Sequence, residues 1–279
     1  MNIVTIDRNP QHSPQMQESD AAIMRSIEKE LAAMGAEVKS TSEKGPVPPQ
    51  HSIILHMSRT AETLQHLEEL EAQGALVINS PRAVKNSSRA TMVKILQSNN
   101  IPQPPYKIVT HANELQEIPC PAWIKKGEGW ACRKEDVAFV TNSTEAQAAF
   151  ETIKANGCSS AVICKHIEGD IIKFYGVEGG FFHHLYPNIE TTKFGLEKIN
   201  GTQKRYPFST MLLKSAAFDA ARALGLDIFG GDAIITPKGE IYIIDINDFP
   251  SFSAVRQEAA KEIATMLIKK ASKSYDRRG

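Results

Sequence analysis

The chain has 279 residues, of which 42% are hydrophobic and 23% charged, with 32 basic and 32 acidic side chains. That length supports more than one folded unit, and the balanced charge argues against a general nucleic-acid or anionic-membrane binder, since both need a positive excess. Residues 1–7 read as a buried strand rather than a secretory leader, and no apolar run approaches the ~20 residues of a membrane span. Cys120, Cys132, Cys158 and Cys164 lack C-x-x-C spacing, so reduced thiols in a cytoplasmic protein are expected.

In chain order, residues 2–7 form an apolar strand and residues 20–34 an amphipathic helix with Ala22, Ile23, Ile27 and Leu31 on one stripe, stopped by Gly35. Strands over 37–40, 53–56 and 76–79 and a helix over 61–73 complete a strand–helix alternation that predicts a small parallel α/β domain over 1–88. A helix over 86–99, capped by Ser87 or Ser88, leads into an extended linker forced by Pro102, Pro104 and Pro105. Strands near 106–109, 122–126, 137–140 and 161–166, with a helix over 144–156, predict an α+β unit spanning 89–166. The remaining 167–279 read as a second α+β unit. Its elements are a hairpin over 168–187, a polar aperiodic stretch over 188–206 and a helix over 210–224. Strands over 232–235 and 241–247 then turn about Pro237-Lys238-Gly239, and a helix over 254–271 closes the chain.

The strongest chemical signal is Asp232 on one strand of that last hairpin and Asp245-Ile246-Asn247 on the other. Residues two apart on a strand share a face, so Asp245 and Asn247 project together, and Asp232 can reach them. Two carboxylates and an amide oxygen suit Mg²⁺ and phosphate oxygens. A second signal is an apolar strand delivering Lys125 just before Gly127-Glu128-Gly129, where a lysine and glycine-flanked N–H groups can meet phosphate. A solvated Lys-Lys beside a turn would look the same. A third is the strand 161–165 running into Lys165-His166-Ile167-Glu168, whose backbone can pair with an adenine edge while Glu168 accepts ribose hydroxyls. His183 and His184, on a hairpin expected to face the cleft, and Lys193, Lys198, Lys204 and Arg205, in the polar stretch, are candidate contacts for an anionic acceptor. Each group also reads as ordinary surface.

Taken in order, Arg89 opening a helix, Lys125, Glu168, Lys173 and Asp232…Asp245-x-Asn247 resemble the ATP-grasp superfamily over roughly residues 79–253. The absence of G-x-x-x-x-G-K-[ST] excludes a P-loop enzyme. The resemblance implies an ATP-grasp fold in which two α+β subdomains clasp ATP beside the N-terminal α/β domain. It implies nucleotide contacts from Arg89, Lys125, Lys165, His166, Ile167, Glu168, Lys173 and Ile244, and metal ligands in Asp232, Asp245 and Asn247. Lys173 and Arg256 are the implied catalytic residues, and the cofactors are ATP and Mg²⁺. Asp-Ile-Asn-x-Phe-Pro at 245–250 is similar to the inositol-polyphosphate kinases of the same superfamily, though Trp130 stands where those kinases carry His-Gly and Ser251 replaces a glycine. The expected activity is phosphoryl transfer from Mg-ATP to a small anionic acceptor. A carboxylate–amine ligase ranks first, a small-molecule kinase second and a nucleotide-binding protein with little catalysis third. A homodimer is the assembly considered, with no nucleic-acid or membrane partner.

Overall fold

The computed structural model describes residues 1–188 and 199–276. The first unit is a four-stranded parallel sheet in the order β2-β1-β3-β4, built from β1 (Asn2–Asp7), β2 (Glu37–Ser42), β3 (Ile53–His56) and β4 (Leu76–Ile78). Alternation along β1 and β3 sends Ile3, Ile53 and Leu55 to one face and Val4, Ile6 and Ile54 to the other. Helix α2 (Ala61–Ala72) covers the second face with Leu67 and Leu70. The first face meets α1 (Gln17–Ala33) and the last helix, α7 (Arg256–Asp276), in a core that also takes Tyr175, Ile228, Phe249 and Phe252 from the far end of the chain. The N-terminal sheet and the C-terminal unit therefore share one core.

The helix expected over 86–99 is α4 (Arg89–Ser98), with Ser88 as its N-cap as the sequence suggested, and a short helix not foreseen, α3 (Pro81–Asn86), precedes it. Ser88 separates the two helices. It sits in extended backbone, and its hydroxyl turns away from the helix to donate to the Gly127 carbonyl and accept from the Gly129 N–H. Ala90 N–H also bonds to the Gly127 carbonyl. Thus the start of α4, carrying Arg89, is pinned to the glycine-bearing loop.

The middle sheet has antiparallel pairs in the order β5-β8-β6-β7, from β5 (Tyr106–Val109), β6 (Ala122–Lys126), β7 (Val137–Val140) and β8 (Ala161–Lys165), with α5 (Ser143–Ala155) packed on one face. Asn142 caps α5 by accepting from the Glu145 N–H. The third sheet, also antiparallel, runs β10-β9-β11-β12, from β9 (Asp170–Val177), β10 (Phe181–Leu185), β11 (Ile228–Ile235) and β12 (Ile241–Asp248). Helix α6 (Thr210–Leu224) and α4 cover one face with Ile172, Phe174, Phe229, Ile243 and Ile246 beneath them. β11 and β12 pair as the sequence predicts, but β11 begins four residues earlier than expected, because Ile228–Gly231 continue the pairing with β9 and, from Phe229, with β12. This is a mixed α/β chain with one parallel and two antiparallel sheets, the fold class the sequence implied.

One buried side chain joins the first and third sheets. Asn79, just past β4, donates to the Ile228 carbonyl (2.8 Å) and accepts from the Asp227 and Ile228 N–H groups (2.8 and 2.9 Å). An amide satisfied on both of its ends fixes where β11 begins relative to the N-terminal sheet.

Candidate active site

The face of the third sheet opposite α6 buries Tyr175, Val177 and Ile228 in the shared core at one end, and further along it turns polar. Lys173, Asp232 and Asp245 lie side by side on β9, β11 and β12, because the registers pair Asp232 with both neighbours. Between Asp232 and Ala233 the register slips, so Ile244 is an extra residue on β12. The bulge turns Ile244 towards the same cavity as Asp245. Its carbonyl accepts from Lys125 Nζ at 3.2 Å, which brings the middle sheet against the third.

That cavity, of about 360 Å³, lies between all three units. One end is largely apolar, with Trp123, Val137, Ile167, Ile171, Ile234 and Ile244. Its middle holds Arg89, Lys125, Lys173, Asp232, Asp245 and Asn247. Lys173 Nζ meets Asp232 at 2.8 Å, and Arg89 meets Asp245 at 3.3 Å. Burial alone would raise the Asp245 carboxyl. Arg89, Lys125 and Lys173 outweigh burial and hold it below the usual carboxylate range. Asp245 is therefore ionised at neutral pH. Arg89 is almost entirely buried, and its Nε and NH1 have no partner among the described residues. A buried guanidinium with unused donors is an opening for an anionic ligand.

These residues fit a Mg²⁺ site by their chemistry. Two carboxylates and one amide, all hard oxygen donors, share one face, and both carboxylates stand against cations a bound ion could replace. Among the described residues no group of three His, Cys, Asp or Glu side chains converges. That is compatible with an ion that takes one or two carboxylates and fills the rest of its shell from water and phosphate.

The other end of the cavity belongs to the N-terminal unit and was not foreseen. Arg8, His12, Ser13, Asp20 and Arg59 line it together with Trp130, Asp248 and Phe249-Pro250-Ser251. Arg8 donates from NH1 to Asp20 at 3.0 Å and from NH2 to the Phe249 carbonyl at 2.9 Å. Arg59 grips Asp248 through Nε at 3.1 Å and NH2 at 2.5 Å, while Arg8 NH2 stands 3.7 Å from the same carboxylate. Asp248 is only 1% exposed. Burial would raise its carboxyl, but Arg59 and Arg8 outweigh burial and hold it below the usual range. Phe249 and Phe252 take left-handed backbone, with φ of 36° and 48°, a costly conformation kept in place by burial of both rings. Pro250 packs on Gly230, where any Cβ would come within 2.7 Å of its ring.

Several expected contacts lie elsewhere. Lys165 and Ile167 line the cavity, but His166 does not: its ring sits among Trp123 and Phe139 and its Nδ1 takes the Trp123 indole N–H at 3.1 Å. Glu168 is exposed on the turn between β8 and β9, outside the lining. Arg256 opens α7 away from the cavity, with its Nε buried and unpartnered among the described residues. His184 packs against Phe182 and Phe208, and neither it nor His183 is among the residues lining the cavity. Lys204 gives its N–H to Asp170, and Arg205 stacks over Tyr186. Lys193 and Lys198 lie outside the described residues.

The missed N-terminal contacts carry little local signal. Arg8 follows a strand and Arg59 follows another, both at the carboxyl edge of a parallel sheet, where ligand clefts of α/β units form. That position was the one available clue.

The chain has the ATP-grasp fold. Solved structures similar to it over nearly their whole length include D-alanyl-alanine synthetase A from Vibrio cholerae O1 biovar eltor, at 12% identity, TM-score 0.73 and 98% coverage of both chains. They also include D-alanine–D-alanine ligase from Bacillus anthracis, at 14% identity, TM-score 0.70 and 100% coverage of both. A RimK domain ATP-grasp protein from Sphaerobacter thermophilus matches at 16% identity and TM-score 0.67, covering 96% of this chain and 100% of its own. At the level of sequence, no family model and no curated protein matches the chain.

Proposed function

We propose that the protein is an ATP-dependent ligase that joins a small carboxylate to an amine. The adenine of ATP would occupy the apolar end, and the phosphates would meet Arg89, Lys125 and Lys173 in the middle. Mg²⁺ held by Asp232, Asp245 and Asn247 would offset charge on the phosphate oxygens. An acceptor carboxylate oxygen then attacks the γ-phosphorus, the bond to the bridging oxygen breaks, and ADP leaves behind an acyl phosphate. The amine attacks the acyl carbon, inorganic phosphate leaves with the bonding pair, and the ammonium proton passes to solvent. The cations lower the charge that accumulates on the oxygens, and the enclosed cleft keeps water from the acyl phosphate.

The observation that carries a ligase rather than a small-molecule kinase of the inositol-phosphate type is the charge balance at the N-terminal end. Arg8 and Arg59 are matched by Asp20 and Asp248, and their guanidinium groups are largely spent on those carboxylates and on backbone carbonyls. Burial pushes the His12 imidazole down; Glu43 opposes this, but Arg59 and Arg8 act with burial, so His12 adds no cation at neutral pH. A polyphosphorylated acceptor would need unspent cations, whereas a compound with one carboxylate does not. The structural likeness to D-alanine–D-alanine ligases agrees with this choice, at identities that speak for the fold alone.

The test is hydroxylamine trapping. Mg-ATP, hydroxylamine and a panel of small carboxylates, D- and L-amino acids among them, should give ADP with an equal yield of hydroxamate. ADP formation with a phosphorylated hydroxyl product and no hydroxamate would establish the kinase reading instead.

A further inference from the structure

The acceptor end of the cavity is lined from loops that leave the N-terminal sheet at its carboxyl edge. The loop after β1 brings Arg8, His12 and Ser13, and the loop after β3 brings Arg59. The edge strand β2 lies beside β1, and Glu43, just past its end, reaches both of those loops. Its Oε1 accepts from the Asn9 N–H at 2.8 Å. Its Oε2 accepts from the Thr60 N–H at 2.9 Å and from the Thr60 hydroxyl at 2.6 Å. The Arg59 N–H is shared between the two oxygens, at 3.4 and 3.3 Å. A carboxylate surrounded by donors is strongly oriented, because charge-assisted hydrogen bonds are about twice as strong as neutral ones.

The other bonds of these loops do not set the gap between them. Arg8 Nε joins the strand ends by donating to the Met57 carbonyl at 3.2 Å. Further out on the first loop, Asn9 Oδ1 accepts from the Gln11 N–H and starts the turn Pro10–His12, which carries His12 into the lining. The Ser13 hydroxyl then closes onto Asp20. On the second loop, Arg59 runs to Asp248 and passes 4.4 Å from the Trp130 ring centroid. Among the described residues, Glu43 is the side chain that joins Asn9 to Arg59 and Thr60. It is half-buried at the root of both loops and outside the lining, so it acts through the residues it holds.

We propose that Glu43 is the positioning residue of the acceptor end. It sets the gap between the loop with His12 and Ser13 and the loop with Arg59, and so the fit of a small carboxylate substrate. This rests on the reading of that end as the acceptor site of a ligase. Positioning of this kind acts steeply, since a misplacement of about 1 Å can cost about a hundredfold in rate.

Glu43→Ala removes every one of these side-chain bonds, whereas Glu43→Gln keeps the chain length and one carbonyl acceptor. The two tryptophans, Trp123 and Trp130, give two indole N–H signals on nitrogen-15 labelling, assigned with Trp123→Phe and Trp130→Phe. Without ligand, Glu43→Ala should move the Trp130 signal, because Arg59 shifts over its ring, and leave the Trp123 signal in place. In the hydroxamate assay its KM for the carboxylate should rise by about tenfold or more, with the KM for ATP within about twofold. Glu43→Gln should lie between wild type and Glu43→Ala in both measurements. An unmoved Trp130 signal, or equal rises in the two KM values, overturns the inference and leaves the ligase reading standing. If the wild-type protein forms no hydroxamate with any carboxylate, the ligase reading fails by itself. The Trp130 signal then decides alone whether Glu43 positions Arg59. Should Glu43→Ala not fold, Glu43→Gln is compared with wild type by the same two measurements.

Discussion

The middle of the cleft and its N-terminal end are both built from arginines or lysines against aspartates, yet they are assembled differently. In the middle, Lys173, Asp232 and Asp245 are neighbours across one antiparallel sheet, and Asp232 and Asp245 belong to a single hairpin. They remain partly open, with Asp232 and Asp245 each 23% exposed and Lys173 35%. At the N-terminal end, Arg8 reaches the Phe249 carbonyl across 241 residues of sequence, and Asp248 is sealed between two arginines. The first arrangement leaves charges that a ligand can claim. The second uses up its charges to lock two units together, and that lock shapes the acceptor end. Substitutions in the two places should therefore differ in kind.

The largest effect is expected at the lock. Asp248→Asn leaves Arg8 and Arg59 buried without a full counter-charge, which should cost about 3–5 kcal/mol in urea unfolding. The pH dependence has a definite sign. The Asp248 carboxyl is held below the usual aspartate value, so its stabilisation is complete above that value and is lost as pH falls through the lower, folded one. Wild-type stability should fall below about pH 4, and the Asn variant should show a shallower acid limb. Equal acid limbs would mean that Asp248 is no lock.

Asp245→Asn probes the open arrangement. The amide keeps an acceptor for the buried Arg89 but loses the charge, so stability should fall by about 1–3 kcal/mol, less than at Asp248 because the Asp245 side chain is partly open. Turnover in the hydroxamate assay should fall by about a hundredfold or more. A variant that lost stability but kept turnover would invert the distinction between the two regions.

The same contrast governs what could be read from the sequence. Asp232 and Asp245-x-Asn247 were legible because strand periodicity and one short turn determine their shared face, with no knowledge of the rest of the fold. Most strands of the three sheets were legible for the same reason, but the joining of the two C-terminal hairpins into one sheet through β9 and β11 was not, since it rests on pairing far apart in sequence. The bulge that presents Ile244 was not legible, because it arises from pairing between strands. Nor was the short helix α3 or the bond from the Ser88 hydroxyl to a loop 39 residues further along, although Ser88 itself was legible as a cap. Arg8 and Arg59 look like any charged residue after a strand. Only the docking of the N-terminal sheet on α7 and the Phe249–Phe252 stretch brings them to Asp248.

Gly230→Ala tests whether the Phe249-Pro250-Ser251 stretch transmits one region to the other. The new Cβ would meet the Pro250 ring at 2.7–3.0 Å and Tyr175 at 3.1 Å, so the stretch must shift. Thermal unfolding should report a cost of about 1–3 kcal/mol. The apparent KM for the carboxylate should rise while that for ATP stays within about twofold, because Lys125 and Arg89 do not touch this stretch. A rise in both would place the stretch under the nucleotide as well.

The smallest effect is expected from a pair that separates the cavity from its rim. Lys125 lines the cavity and reaches the Ile244 carbonyl, so Lys125→Ala should weaken Mg–AMP-PNP binding by about tenfold in calorimetry. Glu168 is exposed on the turn between β8 and β9. Its carboxylate can accept ribose hydroxyls only if nucleotide binding draws that turn inward over the apolar end. An exposed carboxylate that stays in water contributes little to binding, since its interactions are screened and its hydration is already good. Glu168→Gln should therefore change Mg–AMP-PNP affinity by less than about twofold. If it matched Lys125→Ala instead, the turn would be a closing element.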